Sequence, residues 1–173
     1  MAYSRPEPLR GKHSTEDFSC GEESLDTWLE RYARHAEAAG SARTFVTTDD
    51  GVRIVGYYAL TVGQVELGDA TDRLLKGQPS GRPVPVAILA RLAIHLEHQD
   101  AGLGRSLLQD ALIRTQHVSE SMGIRALVAH ALTEEAATFY TRFGFEPSPV
   151  DRLQVILLMK DLKLLLERAR SQG

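Results

Sequence analysis

The stretch "RLAIHLEHQDAGLGRSLLQDALIR" (Arg91–Arg114) joins an apolar run to an amphipathic one across two glycines one residue apart. "ILARLAI" (Ile88–Ile94) is short, apolar and bounded by polar residues, the pattern of a buried strand that ends near His95. From Gly104 onward Leu107, Leu108, Ala111 and Leu112 recur at helical spacing, with Arg105, Gln109, Asp110 and Arg114 largely on the other face. The glycines therefore sit between a strand and a helix N-terminus, where unpaired N–H groups and the helix dipole favour an anion. A phosphate or pyrophosphate suits that turn. A dinucleotide fingerprint needs a third glycine where Leu107 stands, and a P-loop needs a spacing and a lysine that are absent. A turn that merely connects strand to helix is the competing reading, and the rest of the chain has to decide.

The chain of 173 residues suits one domain large enough to bury a core without disulfides. With 25% charged and 43% hydrophobic residues, the composition is that of a soluble globular protein, and a net charge of -3 leaves no overall footprint for nucleic acid. A single Cys20 excludes an intrachain disulfide, and no apolar run approaches the roughly 18 residues of a membrane span. "MAYSRPEPLRGK" (Met1–Lys12) lacks the apolar centre of a signal peptide, so a cytoplasmic protein is expected.

"EESLDTWLERYARHAEAA" (Glu22–Ala39) places Leu25, Trp28, Leu29, Tyr32, Ala33 and Ala36 on one helical stripe, ended by Gly40. "RTFVTT" and "RIVGYYALTVGQVEL" flank Asp49-Asp50-Gly51, a hairpin signal. Residues 68–85 are rich in Gly and Pro and predict an excursion with a short helical turn. Beyond the glycine turn come a strand over Ile124–His130 and a helix opened by Thr133 with acids in its first turn and Gly144 at its end. A last strand in "DRLQVILLMK" and a terminal helix in "DLKLLLERAR" complete a mixed α/β sheet, read as one domain over residues 1–161 with a helical extension over 162–173.

Gln99-Asp100-Ala101-Gly102-Leu103-Gly104 resembles the Q/R-x-x-G-x-G/A pyrophosphate loop of the GNAT acyltransferases, and "FYTRFGF" (Phe139–Phe145) is similar to that family's later aromatic-Tyr signature. "FSCGEESLDTWL", "SARTFV", "GYYAL", "ILARLAI" and "RALVAHALTEEAATFY" extend the likeness from Pro6 to Asp161, and there it resembles the GNAT toxins of bacterial toxin-antitoxin modules. The resemblance implies the GNAT fold and acetyl-CoA, with Leu92, Ala93 and Ile94 pairing to the pantetheine arm. It likewise implies that Gln99, Asp100, Ala101, Gly102, Leu103, Gly104, Arg105 and Ser106 hold the pyrophosphate. It further implies acetylation of the α-amino group of aminoacyl-tRNA, which blocks translation, and neutralisation by a ribbon-helix-helix antitoxin. DNA is then met only through that antitoxin. A homodimer is also implied, for which Leu158, Leu162, Leu165 and Leu166 offer apolar surface unless they are intrachain core.

By the same resemblance Tyr140 donates the proton to the departing sulfur, and its ordinary pKa near 10 keeps the phenol protonated at neutral pH. N–H groups near Ile94 polarise the acetyl carbonyl. An α-amino group has a pKa near 8, so no dedicated base is required. Without the paired motifs, Tyr140 beside Phe139 and Phe143 reads as core packing. His95, His98, His117 and His130 read as structural histidines, Cys20 as a buried thiol, and Cys and His lack any zinc spacing, so no metal is expected.

Arg31, Arg34, Arg43, Lys76, Arg82 and Arg91 are the candidates for tRNA phosphates. Arg91 differs from the rest because it falls inside an apolar strand, where an unpaired charge is costly, so it should have a partner or face the cleft. Three departures from the family pattern bear on binding. Asp100 and Ala101 stand where Gly and a basic residue are usual, which sets a negative charge beside the pyrophosphate and predicts weaker coenzyme A affinity. Thr133 replaces a frequent Asn and retains a hydroxyl for the cofactor. Two other functions stay open: a GNAT acting on a small-molecule or protein amine, and a weakly catalytic acyl-CoA-binding regulatory module.

Overall fold

The protein is described by a computed structural model over residues 2–78 and 81–172. Met1, Pro79, Ser80 and Gly173 lie outside the described residues, and with them two positions of the expected excursion and the two outer limits of the expected domain and extension.

Strand β1 (Glu7–Pro8) precedes a long helical segment made of α1 (Glu23–Thr27), a π-helical turn (Trp28–Tyr32) and α2 (Ala33–Ala39). Gly40 ends it at φ 72°, a left-handed conformation that glycine adopts without penalty. There follow β2 (Arg43–Thr48), β3 (Ile54–Val65), the short α3 (Asp72–Leu75), β4 (Val84–Ile94), α4 (Leu103–Ser119) and β5 (Ala126–His130). Then come α5 (Glu134–Thr141), β6 (Glu146–Pro147), β7 (Gln154–Leu158) and α6 (Met159–Ser171). The seven strands run in the order β1-β2-β3-β4-β5-β7-β6. β4 and β5 are parallel, joined through α4, whereas β1–β2, β2–β3, β5–β7 and β6–β7 are antiparallel. This is the expected mixed α/β sheet. No described helix is long and apolar enough to cross a membrane.

The chain divides into two compact units, which β3, β4 and α4 pass through in turn. The first comprises residues up to Thr61 with Ala90–Ala111. Its core joins Leu29 and Ala33 of the helical segment to Val46, Ile54, Tyr57 and Ala93, with Trp28 packed alongside. Leu107 and Leu108 are fully buried from α4, as their spacing predicts. A Cβ on Gly56 would stand 2.9 Å from Ile94 Cδ1 and 3.0 Å from Leu107 Cδ1, so glycine here permits the close approach of those side chains.

The second unit comprises Val62–Leu89 and the chain from Leu112 onward. Its core includes Val65, Leu74, Val84, Val86, Ala126, Val128, Ile156 and Leu158. Residues 67–78 are tied to this core at several points. Leu74 is fully buried. Arg125 donates to the carbonyls of Leu74 and Lys76 at 3.2 and 2.7 Å. Ser148 donates to the carbonyl of Asp69 at 2.9 Å, and Arg73 pairs with both Glu146 and Asp161. Leu74→Ala is expected to cost about 3 kcal/mol of unfolding free energy, read by denaturant titration, because a buried leucine is lost and a cavity left.

Four expectations need correction. The first helix is not one uniform α-helix: the π turn breaks the regular spacing, and Tyr32, placed on the apolar stripe, is 55% exposed. β4 begins at Val84 rather than Ile88, so the end of the excursion is strand. β5 begins at Ala126 rather than Ile124, and α6 at Met159 rather than Asp161. β1 and β6, two residues each, are too short for a periodicity to show.

Candidate functional site

In β4, the pairing with β5 spans Val86–Leu89, and Ala90–Ile94 run past it. The His95 N–H donates to the Val55 carbonyl of β3 at 2.8 Å. Successive residues of a strand present their amides to opposite edges, so the amides of Ile94 and Leu92 face away from β3 and that of Ala93 faces toward it. The Ile94 carbonyl accepts from Gln99 Nε2 at 3.0 Å, and the same amide donates to the Cys20 carbonyl at 3.1 Å. Gln99 thus ties the turn after β4 to the strand end and to the segment before α1.

Within that turn Asp100 has φ 65° and Gly102 φ 81°. Left-handed residues flanking Ala101 curl the backbone so that successive N–H groups converge, the geometry of an anion nest. Asp is one of the few side chains that enter this region readily, so Asp100 holds φ 65° without the penalty that most residues would incur. The Ser106 N–H donates to the Gly102 carbonyl at 3.1 Å, so the N–H groups of Leu103, Gly104 and Arg105 precede the intrahelical ladder. Leu103 is buried and anchors the turn, while Gln99, Asp100, Ala101, Gly102, Arg105 and Ser106 are exposed. The donors fit a pyrophosphate, and the carboxylate of Asp100 opposes it.

Tyr140 belongs to the second unit, on α5. Thr133 caps that helix by accepting the Ala136 N–H at 3.1 Å. The Tyr140 ring lies 5.3 Å from each of Phe139 and Phe145, and the residue is 7% exposed. Burial pushes the phenol well above its ordinary pKa, so it holds its proton throughout the neutral range.

Burial likewise raises the Tyr57 phenol and pushes the Cys20 thiol up to about 12, which leaves Cys20 protonated and a poor nucleophile. Each of these groups has a higher pKa folded than unfolded. Their stabilising contribution is present below the unfolded values and is lost as pH rises, because the unfolded chain then releases protons the folded one keeps. The melting temperature is expected to decline from about pH 9 upward, and Tyr57→Phe should flatten part of that decline.

The six basic candidates do not share one environment. Arg31 is exposed in the π turn. Arg34 instead donates to the carbonyls of Arg10 and His13, and Arg43 pairs with Glu37 at 3.0 Å, so both are spent on structure. Arg91 stacks over the Trp28 ring. Lys76 and Arg82 are exposed in the second unit. Among the histidines, His98 is buried and paired to Tyr3 at 3.0 Å, and His95 Nδ1 accepts the Glu97 N–H. His130 is exposed at the end of β5, with Asp151 at 3.9 Å. Trp28 and Tyr57, stacked beside Arg91, carry no local sequence signal of a site, since only the fold joins three elements so far apart.

A family profile described as an acetyltransferase (GNAT) domain matches residues 40–147. The tRNA-acetylating toxin of Mycobacterium tuberculosis strain H37Rv is 44% identical over 164 residues, 95% of this chain and 97% of that protein. AtaT complexed with acetyl-methionyl-tRNAfMet matches at TM-score 0.85 and 26% identity, over 95% of this chain and 99% of that one. A tyrosine-to-phenylalanine mutant of AtaT, bound to the C-terminus of the antitoxin AtaR and acetyl-CoA, matches at TM-score 0.80 and 25% identity, over 95% and 98%.

Proposed function

Since the chain belongs to the GNAT acetyltransferase family, we propose that it moves the acetyl group of acetyl-CoA onto the α-amino group of an aminoacyl-tRNA. The observation that carries the acceptor is the 44% identity, along 95% of the chain, to a protein named for acetylating tRNA.

Bound acetyl-CoA supplies an acetyl group activated as a thioester. The turn from Gln99 to Ser106 would hold its pyrophosphate on backbone N–H groups, and Thr133 has its hydroxyl proton free to donate while its oxygen caps α5. The amides of Leu92 and Ile94 would pair with the pantetheine arm, and that of Ile94 would polarise the carbonyl. Tyr140 would hold a proton at Oη for the sulfur as the C–S bond breaks, while the attacking amine gives up its own to water as the N–C bond forms, and solvent returns a proton to Tyr140. With a pKa near 8, that amine is partly neutral without a base.

Arg31, Lys76, Arg82 and Arg91 are the side chains proposed to meet tRNA phosphates, with Arg34 and Arg43 contributing charge only. Acetylated aminoacyl ends would block translation, which makes the chain the toxin of a toxin-antitoxin pair. A ribbon-helix-helix antitoxin would neutralise it and carry the DNA contact, and the active species would be a cytoplasmic homodimer. The domain is proposed to span residues 1–161, with 162–173 as its extension.

Acetyl transfer from labelled acetyl-CoA to total aminoacyl-tRNA, beside a panel of small amines, tests the reading. Label on the aminoacyl end is expected. Label confined to small amines overturns the tRNA acceptor, and binding of coenzyme A without any transfer favours a regulatory module.

A further inference from the structure

Arg91 is half-buried in β4, and its guanidinium carbon lies 4.3 Å from the centroid of the Trp28 ring. Trp28 in turn stacks on Tyr57, with centroids 6.0 Å apart and 10° between the planes. Tyr57 is fixed by donating its O–H to the Leu25 carbonyl at 2.7 Å. Among the described residues no carboxylate pairs with Arg91 and no acceptor takes its N–H donors. Burial accordingly lowers its pKa, opposed only by the Tyr57 phenol, although a guanidinium stays charged. A half-buried cation without a carboxylate partner carries part of the desolvation cost of a buried charge, and stacking on indole offsets some of it. The aromatic face fixes the plane of the guanidinium and leaves the N–H edge for a planar, bidentate oxyanion. A second observation is independent of the first: Trp28 opens the π-helical turn, an irregularity that re-aims side chains and recurs at functional sites.

We propose that the Trp28–Arg91 stack is an oxyanion site for a phosphodiester of the acceptor's 3′-terminal CCA, through which the enzyme selects a tRNA-borne amine over a free one. This rests on the aminoacyl-tRNA reading above. An aminoacyl ester carries no free carboxylate, so the anion nearest its reacting amine is the phosphodiester of the terminal nucleotides. The pyrophosphate of coenzyme A has its own proposed donors in the turn after β4.

Trp28 is the single tryptophan of the chain, so its fluorescence reports on this site alone. The test titrates the full-length protein with the trinucleotide CCA, and in parallel with a free amino acid and with coenzyme A. Saturable change with CCA is expected in the wild type, weakened roughly tenfold or more in Arg91→Gln and less in Arg91→Lys, which keeps charge but loses the fork. With aminoacyl-tRNA as acceptor, the loss should appear in KM, with kcat within about twofold, as for a contact made equally in ground and transition states. Cooperative thermal unfolding verifies each variant, and Arg91→Lys decides if Arg91→Gln fails to fold.

An undiminished CCA response in the variants overturns the site. So does a wild-type response to the amino acid or to coenzyme A, in place of CCA, that Arg91→Gln removes. The two readings fail separately: CCA binding that needs Arg91, without transfer to aminoacyl-tRNA, sinks only the acceptor, and transfer without that dependence sinks only the site.

Discussion

Tyr140→Phe is expected to lower kcat by roughly 10²- to 10³-fold with little change in the KM for acetyl-CoA, the range in which a lost general acid falls. The substitution removes one oxygen and leaves the ring between Phe139 and Phe145, so the fold should survive. Rates against pH separate the acid from a merely structural phenol. Because burial raises the Tyr140 pKa, the proton donor stays loaded as the amine deprotonates near pH 8. The wild-type rate should therefore climb through that value and hold to about pH 10. A basic limb falling near pH 9 would mean a different acid. Unchanged kcat in the phenylalanine variant would leave Tyr140 as the packing residue that its neighbours alone suggest.

What the chain displayed before folding and what it concealed differ in physical kind. The strand-turn-helix around Gln99–Gly104 was legible because each part rests on local chemistry: an apolar run, glycines at the turn, leucines every three or four residues. The hairpin at Asp49-Asp50-Gly51 and the Thr133 cap were legible for the same reason, since caps and turns are made by neighbours. The π turn was not, because the apolar spacing of Leu25, Trp28, Leu29 and Tyr32 fits an α-helix, and only the exposure of Tyr32 shows the change of pitch. Arg34 illustrates another limit. As a sequence position it is a free cation, yet a contact with Arg10 and His13, more than twenty residues away, consumes it. Arg91 was marked as a cost in an apolar strand, but its partner proved to be an aromatic ring rather than an acid. The positive φ of Asp100 had only an indirect signal, namely that Asp tolerates a conformation that most residues resist.

Asp100 and Gly102 share that left-handed geometry, and exchanging their chemistry should move coenzyme A affinity in opposite directions. Removing the Asp100 carboxylate takes away repulsion worth about 1 kcal/mol against an anion in a solvent-exposed loop, so Asp100→Asn should tighten binding about fivefold. Asparagine tolerates the same backbone, which isolates charge from conformation. Asp100→Gly should gain as much, with little net change in melting temperature, because relief at φ 65° is offset by freedom added to the unfolded chain. Both gains should shrink as salt is raised. Gly102 has φ 81° and open space around a Cβ, so Gly102→Val acts through conformation alone. A β-branched residue held there costs about 2 kcal/mol, and a turn that relaxes away from it loses the convergent N–H groups, so affinity should fall by roughly 30-fold or more. Isothermal titration with coenzyme A reads all three variants. Weaker binding in Asp100→Asn would mean that the carboxylate organises the turn instead of opposing the anion, and equal binding in Gly102→Val would place the pyrophosphate on other donors.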